Sequence, residues 1–301
     1  MLRFTDQVVM ITGAGRGIGR AYALGLAARG ATVIAVDLGC DMSGKGQDGS
    51  YIEDVVDLIK DMGGQAVGHC LDVRDRRNLD WLVSDTLERF GRIDGLICNA
   101  GTLLVQQGAG QNSDDHRLMM EMNHFSTVEA IQAVWPQMQL QRHGRILVTS
   151  ASSSLYGDSR LVGYSASNLA NVGLVNSLAL ESEEYGIRVN AICPACSTRL
   201  IQALDVPVNA EELTPDLIVP PMLWLMSDSA PNGEIVLAGG GHYSLARFQE
   251  TEGIFLPLSQ QRPERFAQEW GRLKEMPKSR PFVNYNERLQ SIIKMLKLER
   301  R

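Results

Sequence analysis

The chain of 301 residues is 44% hydrophobic, which is enough apolar material for one large core, and it divides into a main body, residues 1–244, and an extension, residues 245–301. The net charge of −6 is the sum of −11 on the main body and +5 on the extension, and because no basic run occurs, this favours a docking or anionic-ligand segment over nucleic-acid binding. No run of 18 consecutive apolar residues occurs, which argues against a membrane-spanning helix. The five cysteines are scattered along the chain and no secretion signal is visible, which predicts reduced thiols in the cytoplasm.

Short apolar runs alternate with longer amphipathic patterns along the chain. The runs predict seven buried strands, at residues 8–12, 32–37, 65–69, 95–99, 145–150, 187–193 and 234–238. The amphipathic patterns predict helices near residues 17–29, 51–62, 75–90, 114–140, 163–185 and 220–227. This alternation predicts an α/β fold, a Rossmann-type doubly wound seven-stranded parallel sheet with a helical C-terminal extension.

Two connections between these elements are long. Residues 38–50 are polar and rich in glycine, which predicts a surface loop after the second strand. Residues 196–216 follow the sixth strand at the carboxyl edge of the sheet, where ligands of such folds bind, so we expect a mobile lid there. The extension contains two helical patterns separated by prolines, which we expect to pack on the main body or on a neighbouring subunit.

The first strand leads directly into the sequence TGAGRGIGR and then into a helix. Gly13, Gly17 and Gly19 allow a sharp turn, a close approach of the backbone to a pyrophosphate and close packing of the helix on the sheet. The amino terminus of the helix supplies N–H groups and a dipole to the anion. The spacing T-G-x-x-x-G-x-G therefore predicts a phosphate-binding loop, with an ordinary tight turn as the alternative.

Asp37 ends the second predicted strand, 18 residues after Gly19. A carboxylate there accepts hydrogen bonds from both hydroxyls of an adenosine ribose and repels a 2′-phosphate, which favours NAD over NADP as the cofactor. Arg16 argues in the opposite direction, because a guanidinium inside the glycine loop can reach a 2′-phosphate. We give Asp37 the greater weight and predict NAD.

Five features in a fixed order carry a resemblance to a known family: TGAGRGIG, LDV at residues 71–73, CNAG at residues 98–101, Asn123 and Tyr164. Over residues 7–240 the chain resembles the short-chain dehydrogenase/reductase family, so residues 1–244 are expected to form its dinucleotide-binding domain. Longer segments, including ASSSLYGDSRLVGYSAS and NAICPACSTRL, resemble the (3R)-hydroxyacyl-CoA dehydrogenase parts of peroxisomal multifunctional enzymes and their bacterial relatives. The resemblance implies a hydroxyacyl-CoA or another bulky, steroid-like secondary alcohol as substrate.

The resemblance also implies which residues contact the cofactor. The implied contacts are Thr12, Gly13, Gly15, Arg16, Gly17, Ile18 and Gly19 with the pyrophosphate, Asp37 and Leu38 with the adenosine ribose, Asp72 and Val73 with the adenine, Asn99, Ala100 and Gly101 with the adjoining ribose, and Pro194 and Thr198 with the nicotinamide amide. Members of the family are dimers or tetramers built on the two long helices, here predicted at residues 114–140 and 163–185.

The family uses a tyrosine that exchanges a proton with the substrate oxygen, a lysine that lowers the pKa of this tyrosine, and an asparagine that anchors a water chain. By resemblance, Tyr164 is the tyrosine and Asn123 the asparagine, but the lysine position, one helical turn after Tyr164, is Asn168. An amide carries no charge and cannot stabilise a tyrosinate. Only about one ordinary tyrosine in a thousand is ionised at neutral pH, so we expect slow dehydrogenation.

The family also uses a serine 13 residues before the tyrosine, and this position is Ala151. Ser150 and Ser152 flank it and are the candidate replacements. Neighbouring side chains of a strand face opposite sides, so either serine can take over only if the strand has ended or bulged. Otherwise these serines are turn residues that bond to the backbone.

A few other residues invite a catalytic interpretation. Arg160 and Arg199 are candidates for the missing cation and His124 for an acid or base, although each is also typical of a solvated or structural residue. The sequence CPAC at residues 193–196 lacks a second Cys or His pair at ligand spacing, so no metal site is predicted.

Three functions follow from this reading. The first is an NAD-binding oxidoreductase with weak or atypical activity on a small-molecule alcohol or ketone. The second is a catalytically silent subunit, paired with an active homologue instead of forming a homo-oligomer. The third is a non-redox enzyme, such as a dehydratase or an aldolase-like catalyst, that uses Tyr164 as a proton donor.

Overall fold

The computed structural model describes residues 2–105, 112–202 and 210–275, and also residues 281, 284, 287, 290 and 291. Residues 203–209 of the predicted lid and most of the second helical pattern of the extension lie outside the described residues. The chain separates into two compact units, Met1–Leu245 and Ala246–Arg301.

Eight strands form one sheet. They are β1 (Val8–Thr12), β2 (Thr32–Val36), β3 (Gln65–His69), β4 (Gly95–Cys98), β5 (Gly144–Thr149), β6 (Ile187–Ala195), β7 (Ile235–Gly239) and β8 (His242–Ala246). Their order across the sheet is β3-β2-β1-β4-β5-β6-β7-β8, and all pairings from β3 to β7 are parallel. The strand order reverses between β1 and β4, as in doubly wound folds. The predicted fold class is therefore confirmed.

Ten α-helices occur in the described part of the chain. They are α1 (Gly17–Ala27), α2 (Ser50–Asp61), α3 (Arg76–Phe90), α4 (Ser113–Met120), α5 (Ser126–Gln141), α6 (Ser152–Tyr156), α7 (Val162–Ser182), α8 (Arg199–Gln202), α9 (Val219–Met226) and α10 (Pro263–Leu273). Short 3₁₀ turns lie at Glu183–Tyr185, Ala210–Leu213, Pro215–Ile218 and Leu258–Gln260. None of the helices over these ranges is long and apolar enough to cross a membrane.

The sequence predicts seven strands, and the structure adds β8. This strand follows β7 after only Gly240 and Gly241, whose φ angles are +55° and +77°. A two-residue connection joins neighbouring strands in the antiparallel sense only. Four of the five residues of β8 are exposed, so the segment lacks the buried apolar run that identifies the other strands.

The helix predicted over residues 114–140 is interrupted in the structure. Between α4 and α5, the segment Glu121–Phe125 forms a π-helical turn. Such a turn contains one extra residue and leaves the overall direction of the helix unchanged, so a pattern of apolar residues does not reveal it. Asn123 lies at the centre of this turn.

The core is built around the central strands. All five residues of β1 are buried. Ile11, Val33, Leu147 and Ile192, from four strands of the sheet, belong to one buried cluster with Leu26 of α1. A parallel sheet covered on both faces needs such continuously apolar strands, which explains why their positions were predictable.

Asp94 ties three strands together at the amino edge of the sheet. Its side chain is 1% exposed, and one carboxylate oxygen accepts a hydrogen bond of 2.8 Å from the backbone N–H of Val8. The Asp94 carbonyl accepts from the backbone N–H of Arg145 at 2.9 Å, and Arg92 donates two side-chain hydrogen bonds to the carboxylate. This residue therefore holds β1, β4 and β5 in register.

We expect Asp94→Ala to lower the free energy of unfolding by about 2–3 kcal/mol, because it leaves the buried Val8 N–H without an acceptor. Urea denaturation measures this loss. Asp80→Ala is the matched control, since Asp80 is paired with Arg76 on the surface, and this variant should lose about 0.5 kcal/mol or less. Equal losses in the two variants would contradict the anchoring role of Asp94.

Candidate cofactor and catalytic site

A cleft with a volume of about 280 Å³ opens at the carboxyl ends of the strands, beside the point where the strand order reverses. Seventeen residues predicted to serve cofactor or catalysis line it. They are Gly13, Arg16, Gly17, Ile18, Asp37, Leu38, Asp72, Val73, Asn99, Ala100, Gly101, Asn123, Ser150, Tyr164, Asn168, Pro194 and Thr198. Among the other predicted residues, Thr12, Gly15 and Gly19 belong to β1, the glycine loop and α1, and Ser152 opens α6.

The glycine loop leaves no space for side chains at two positions. A Cβ atom on Gly19 would lie 2.0 Å from the carbonyl oxygen of Gly13. Gly13 itself has a φ of +67°, and a Cβ there would lie 2.8 Å from the Cα of Ala100. The bare backbone between β1 and α1 therefore faces the cleft, which is the surface that a pyrophosphate requires.

Asp37 follows β2 and holds two loops with its carboxylate. One oxygen accepts a hydrogen bond of 3.0 Å from the Gly15 N–H, and the other accepts one of 2.8 Å from the Gly39 N–H. A carboxylate has about four acceptor positions, so capacity remains for ribose hydroxyls. The residues of this end of the cleft fit an adenosine ribose.

Asn123 is buried, and its side chain makes three hydrogen bonds. Its Oδ1 accepts from the Thr102 N–H at 2.7 Å, and its Nδ2 donates to the Thr102 carbonyl at 3.0 Å and to Ser167 Oγ at 3.1 Å. Its backbone carbonyl accepts from Asn171 Nδ2 at 2.7 Å and from Thr127 Oγ1 at 3.2 Å. Asn171 Oδ1 in turn lies 2.9 Å from His124 Nδ1, so His124 has a structural partner.

Asn168 occupies the lysine position without replacing the lysine. Its Nδ2 donates to the Tyr164 carbonyl, one turn earlier in α7, at 2.9 Å. Its backbone carbonyl accepts from Ser150 Oγ at 2.9 Å. The side chain is thus bonded to its own helix, and it is only 4% exposed.

Tyr164 is half-buried against the apolar side chains of Leu103, Leu161 and Leu200. Burial is the main cause that raises the pKa of Tyr164 to about 12, and the neighbouring Cys193 and Cys196 add to the increase. At pH 7 about one molecule in 100,000 carries the phenolate when the pKa has this value. The Tyr164 hydroxyl therefore keeps its proton at neutral pH.

The two arginines considered as substitutes for the lysine have other partners. Arg160 pairs with Asp158 at 2.9 Å. Arg199 donates to the carbonyl of Cys40 at 3.2 Å. The described contacts therefore give neither arginine a hydrogen bond to Tyr164.

The strand β5 ends at Thr149, one residue earlier than predicted. Ser150 is 1% exposed, and its hydroxyl is committed to the Asn168 carbonyl. Ala151 precedes α6, and Ser152 is the first residue of this helix. Thr149 lines the cleft beside Ser150, and its hydroxyl donates to Asn99 Oδ1 at 3.4 Å.

Several residues that line the cleft lie outside the sequence-based set of site residues. They are Cys40, Leu71, Met122, Thr149, Cys196, Arg199 and Leu200. Leu71 and Met122 adjoin predicted residues, which is the only signal the sequence offers for them. Cys40 and Cys196 lie in connections, Thr149 ends β5, and Arg199 and Leu200 begin α8, so their place at the cleft depends on the tertiary structure. All five cysteines are free thiols, and no group of three metal-ligating side chains occurs within the described ranges.

Comparisons with known proteins identify the family of the chain and several of its relatives. The family model for short chain dehydrogenases matches residues 7–205. The mouse peroxisomal multifunctional enzyme type 2 is 34% identical over 298 residues, which are 98% of this chain but 40% of the mouse protein. The structure of the full-length enzyme of the same name from Drosophila melanogaster has a TM-score of 0.81 and 26% identity, and the match covers 98% of this chain and 50% of that chain.

A third similar protein was solved with ligands. It is a 7α-hydroxysteroid dehydrogenase complexed with NADH and 7-oxo glycochenodeoxycholic acid, with a TM-score of 0.72 and 29% identity over 80% of this chain and 95% of that chain.

We expect Gly19→Ala to lower the free energy of unfolding by about 1–3 kcal/mol, because the new methyl group must displace the Gly13 carbonyl. The same displacement should weaken NADH binding at least tenfold. Urea denaturation and NADH fluorescence measure the two effects.

The matched control is Gly271→Ala. Position 271 lies on α10 with open space around a Cβ and outside the surface of α5 and α7, so this variant should keep its NADH affinity and gain up to about 1 kcal/mol of stability. A Gly19→Ala protein as stable as the wild type would show that the loop tolerates the added atom.

Proposed function

Because the chain belongs to the short-chain dehydrogenase family, we propose that it is a nicotinamide-dependent oxidoreductase that works without a charged group beside its tyrosine. The proposed reaction interconverts a bulky secondary alcohol and the corresponding ketone, of the hydroxyacyl-CoA class. The observation that carries the proposal is Tyr164 itself, which lines the cleft with a raised pKa while Asn168 is bonded to its own helix.

The proposed mechanism runs most readily towards the alcohol. The glycine loop and Asp37 would hold a reduced nicotinamide dinucleotide, which when bound would supply the hydride for the carbonyl carbon of the substrate. Tyr164 gives its phenolic proton to the carbonyl oxygen, and water then returns a proton to the phenolate. Tyr164 starts this cycle in its protonated form at pH 7, so no deprotonation has to precede the proton transfer. The reverse reaction requires the phenolate and is penalised by about 7 kcal/mol at this pH.

The cleft supports an apolar substituent on the substrate. Leu200 lines the cleft together with Tyr164, and both side chains pack on the buried Leu103 and Leu161. The +5 charge of residues 245–301 would suit the phosphates of a CoA carrier. One similar protein is a hydroxysteroid dehydrogenase solved with 7-oxo glycochenodeoxycholic acid, which supports a bulky substrate.

NAD is our proposed cofactor, with NADP second. Asp37 faces the adenosine end of the cleft and retains acceptor capacity for ribose hydroxyls. The dehydrogenase of known structure described above holds NADH, which agrees with this choice. The chain itself supplies the backbone of the glycine loop for the pyrophosphate and the Asn99–Gly101 segment for the second ribose.

A homo-oligomer on α5 and α7 is our proposal for the assembly. Phe125 precedes α5, Leu140 lies on α5, and Leu169 and Leu180 lie on α7; all four side chains are at least 41% exposed in the single chain. A partner would cover this apolar surface. The cytoplasm stays our predicted location, and the peroxisome is the alternative that the relatives' names suggest.

One observation also favours the non-redox function. A tyrosine with a pKa of about 12 also suits a dehydratase or an aldolase-like enzyme, which needs a proton donor and no hydride. The silent-subunit function is favoured by the loss of both the serine and the lysine.

We expect the two reaction directions to differ in their pH dependence. With NADH and a panel of ketoacyl thioesters and ketosteroids, the rate should be constant between pH 6.5 and 9, because Tyr164 stays protonated well below a pKa of about 12. With NAD and the alcohols, the rate should rise about tenfold per pH unit up to pH 10, as the phenolate fraction grows. Absorbance at 340 nm follows both reactions.

Three results would redirect the assignment. Turnover without any nicotinamide would establish the non-redox function. A lack of activity at every pH, combined with co-purification of an active homologue, would establish the silent subunit. Unchanged activity of Tyr164→Phe would remove Tyr164 from the mechanism.

We expect Asn168→Lys combined with Ala151→Ser to raise the rate of alcohol oxidation at pH 7 about a hundredfold, because an ammonium stabilises the phenolate. Adding Asn171→Ala should raise the rate further, since it frees one of the two acceptor positions of the Asn123 carbonyl for water, while Thr127 Oγ1 keeps the other. The control is Asn168→Met combined with Ala151→Ser, because methionine is a long side chain without charge. An equal gain in the methionine control would show that charge is not the missing factor.

A further inference from the structure

The connection between β2 and α2 contains a compact loop, residues 39–48, which we call the finger. At the base of the finger, the Asp48 N–H donates to the Leu38 carbonyl at 3.0 Å. At its tip, the Asp41 N–H donates to the Lys45 carbonyl at 2.8 Å, and the Asp41 carboxylate accepts from the Lys45 N–H at 3.0 Å. Because hydrogen bonds close the loop at both ends, the finger has a defined shape of its own.

The base of the finger is attached to the glycine loop and to α8. Cys40 lines the cleft, and its backbone carbonyl accepts hydrogen bonds from Arg16 Nη2 at 2.7 Å and from Arg199 Nη1 at 3.2 Å. Arg16 belongs to the glycine loop, and Arg199 begins α8. Two segments that are far apart in the sequence therefore hold the same peptide group of the finger.

The tip of the finger is attached to the segment after β4 and to α4. The Thr102 hydroxyl donates to the backbone carbonyl of Met42. Gly44 is buried, and a Cβ atom added to it would lie 3.6 Å from Leu118 Cδ1 and 3.7 Å from Met122 Sδ. The tip is therefore held by one hydrogen bond and by apolar contacts with side chains of α4 and the π-helical turn.

These attachments lie on both sides of the point where the strand order reverses. The glycine loop follows β1, and Thr102 follows β4, and the cleft opens between these two strands. Asp41 and Lys45 at the tip are exposed to solvent. The finger therefore crosses the cleft on its solvent side and connects its two walls.

We propose that the finger is a strap that closes over the bound dinucleotide and detaches to admit and release it, with the Thr102 hydroxyl as its latch. This inference rests on the proposed function. A dinucleotide with one ribose at Asp37 and the other at the Asn99–Gly101 segment lies along the path that the finger crosses. Entry and exit therefore both require the tip to leave Thr102 and Leu118. Opening of such loops limits the rate of product release in many enzymes.

A strap affects both directions of exchange. A weaker latch raises the fraction of molecules in which the finger is detached, so it raises the association rate and the dissociation rate of the dinucleotide together. The dissociation constant then changes less than either rate. A residue that only contacts the dinucleotide behaves differently, because its loss raises the dissociation rate alone.

Stopped-flow fluorescence of NADH measures both rates without any substrate turnover, with excess NAD as the competitor in the dissociation experiment. Thr102→Val removes the latch hydroxyl and keeps the shape of the side chain, and Leu118→Ala removes an apolar contact of the tip. Thr32→Val is the matched control, because Thr32 Oγ1 donates to Gln65 on the surface at 3.0 Å.

We expect Thr102→Val to raise both rates about fivefold, the factor that corresponds to one hydrogen bond of ordinary net strength. Leu118→Ala should also raise both rates, because the tip loses a contact that holds it. Thr102→Ser keeps the hydroxyl and should behave like the wild type, and Thr32→Val should change neither rate.

The two rates also identify the results that would overturn the strap. Unchanged rates in both Thr102→Val and Leu118→Ala, in proteins that unfold like the wild type, would overturn it and leave the proposed function intact. A higher dissociation rate at an unchanged association rate would also overturn it, because the finger would then not obstruct entry. A wild-type protein that does not bind NADH would instead overturn the proposed function, and this inference with it.

Hydrogen exchange of the backbone amides provides a second criterion. Saturating NADH should slow the exchange of residues 39–48 in the wild type and in Thr102→Val, because the closed finger is the form that retains the dinucleotide. Exchange of the finger that NADH leaves unchanged in both proteins would contradict closure over the ligand.

Discussion

The hydrogen bonds between the carboxyl ends of β1 and β4 are the constraint on which the rest of the site depends. The Thr12 hydroxyl accepts from the backbone N–H groups of Asn99 and Ala100, and the Asn99 amide donates to the Gly13 carbonyl. These bonds fix two strand ends where the strand order reverses. The turn into α1 therefore has no freedom to widen, and Gly19 must pass directly against the Gly13 carbonyl. The close contact between Gly19 and the Gly13 carbonyl determines where the cleft lies and which residues surround it.

Behind the cleft, neutral hydrogen bonds replace the charge that the family's lysine supplies. Ser150 bonds to the Asn168 carbonyl, the Asn168 amide bonds to the Tyr164 carbonyl, and the Asn171 amide bonds to the Asn123 carbonyl. Each of these buried polar groups has a partner, so the interior tolerates them at little cost. A buried ammonium would need an anion or extensive solvation. Because no cation lies beside Tyr164 in these contacts, the Tyr164 hydroxyl keeps its proton. The hydrogen bonds of α7 therefore favour the proposed reaction in the direction that consumes this proton.

The sequence predicts some parts of this arrangement much better than others. The glycine spacing, Asp37 and the helix face shared by Tyr164 and Asn168 depend on local periodicity, and the structure brings all of them to one cleft. The π-helical turn around Asn123 is invisible to such patterns, because it changes hydrogen bonding without changing which residues are apolar. The edge strand β8 is exposed and therefore lacks an apolar run.

The sequence by itself determined the doubly wound fold, the glycine loop and the absence of a lysine four residues after Tyr164, because buried strands, tight turns and helix periodicity each leave a local pattern. Only the tertiary structure decided what replaces the missing groups. The Asn168 amide donates to the Tyr164 carbonyl of its own helix, and the Ser150 hydroxyl donates to the Asn168 carbonyl in α7. Arg199 donates to the Cys40 carbonyl rather than to Tyr164. These contacts join segments up to 159 residues apart, and no local pattern records which of the available polar groups such segments will share.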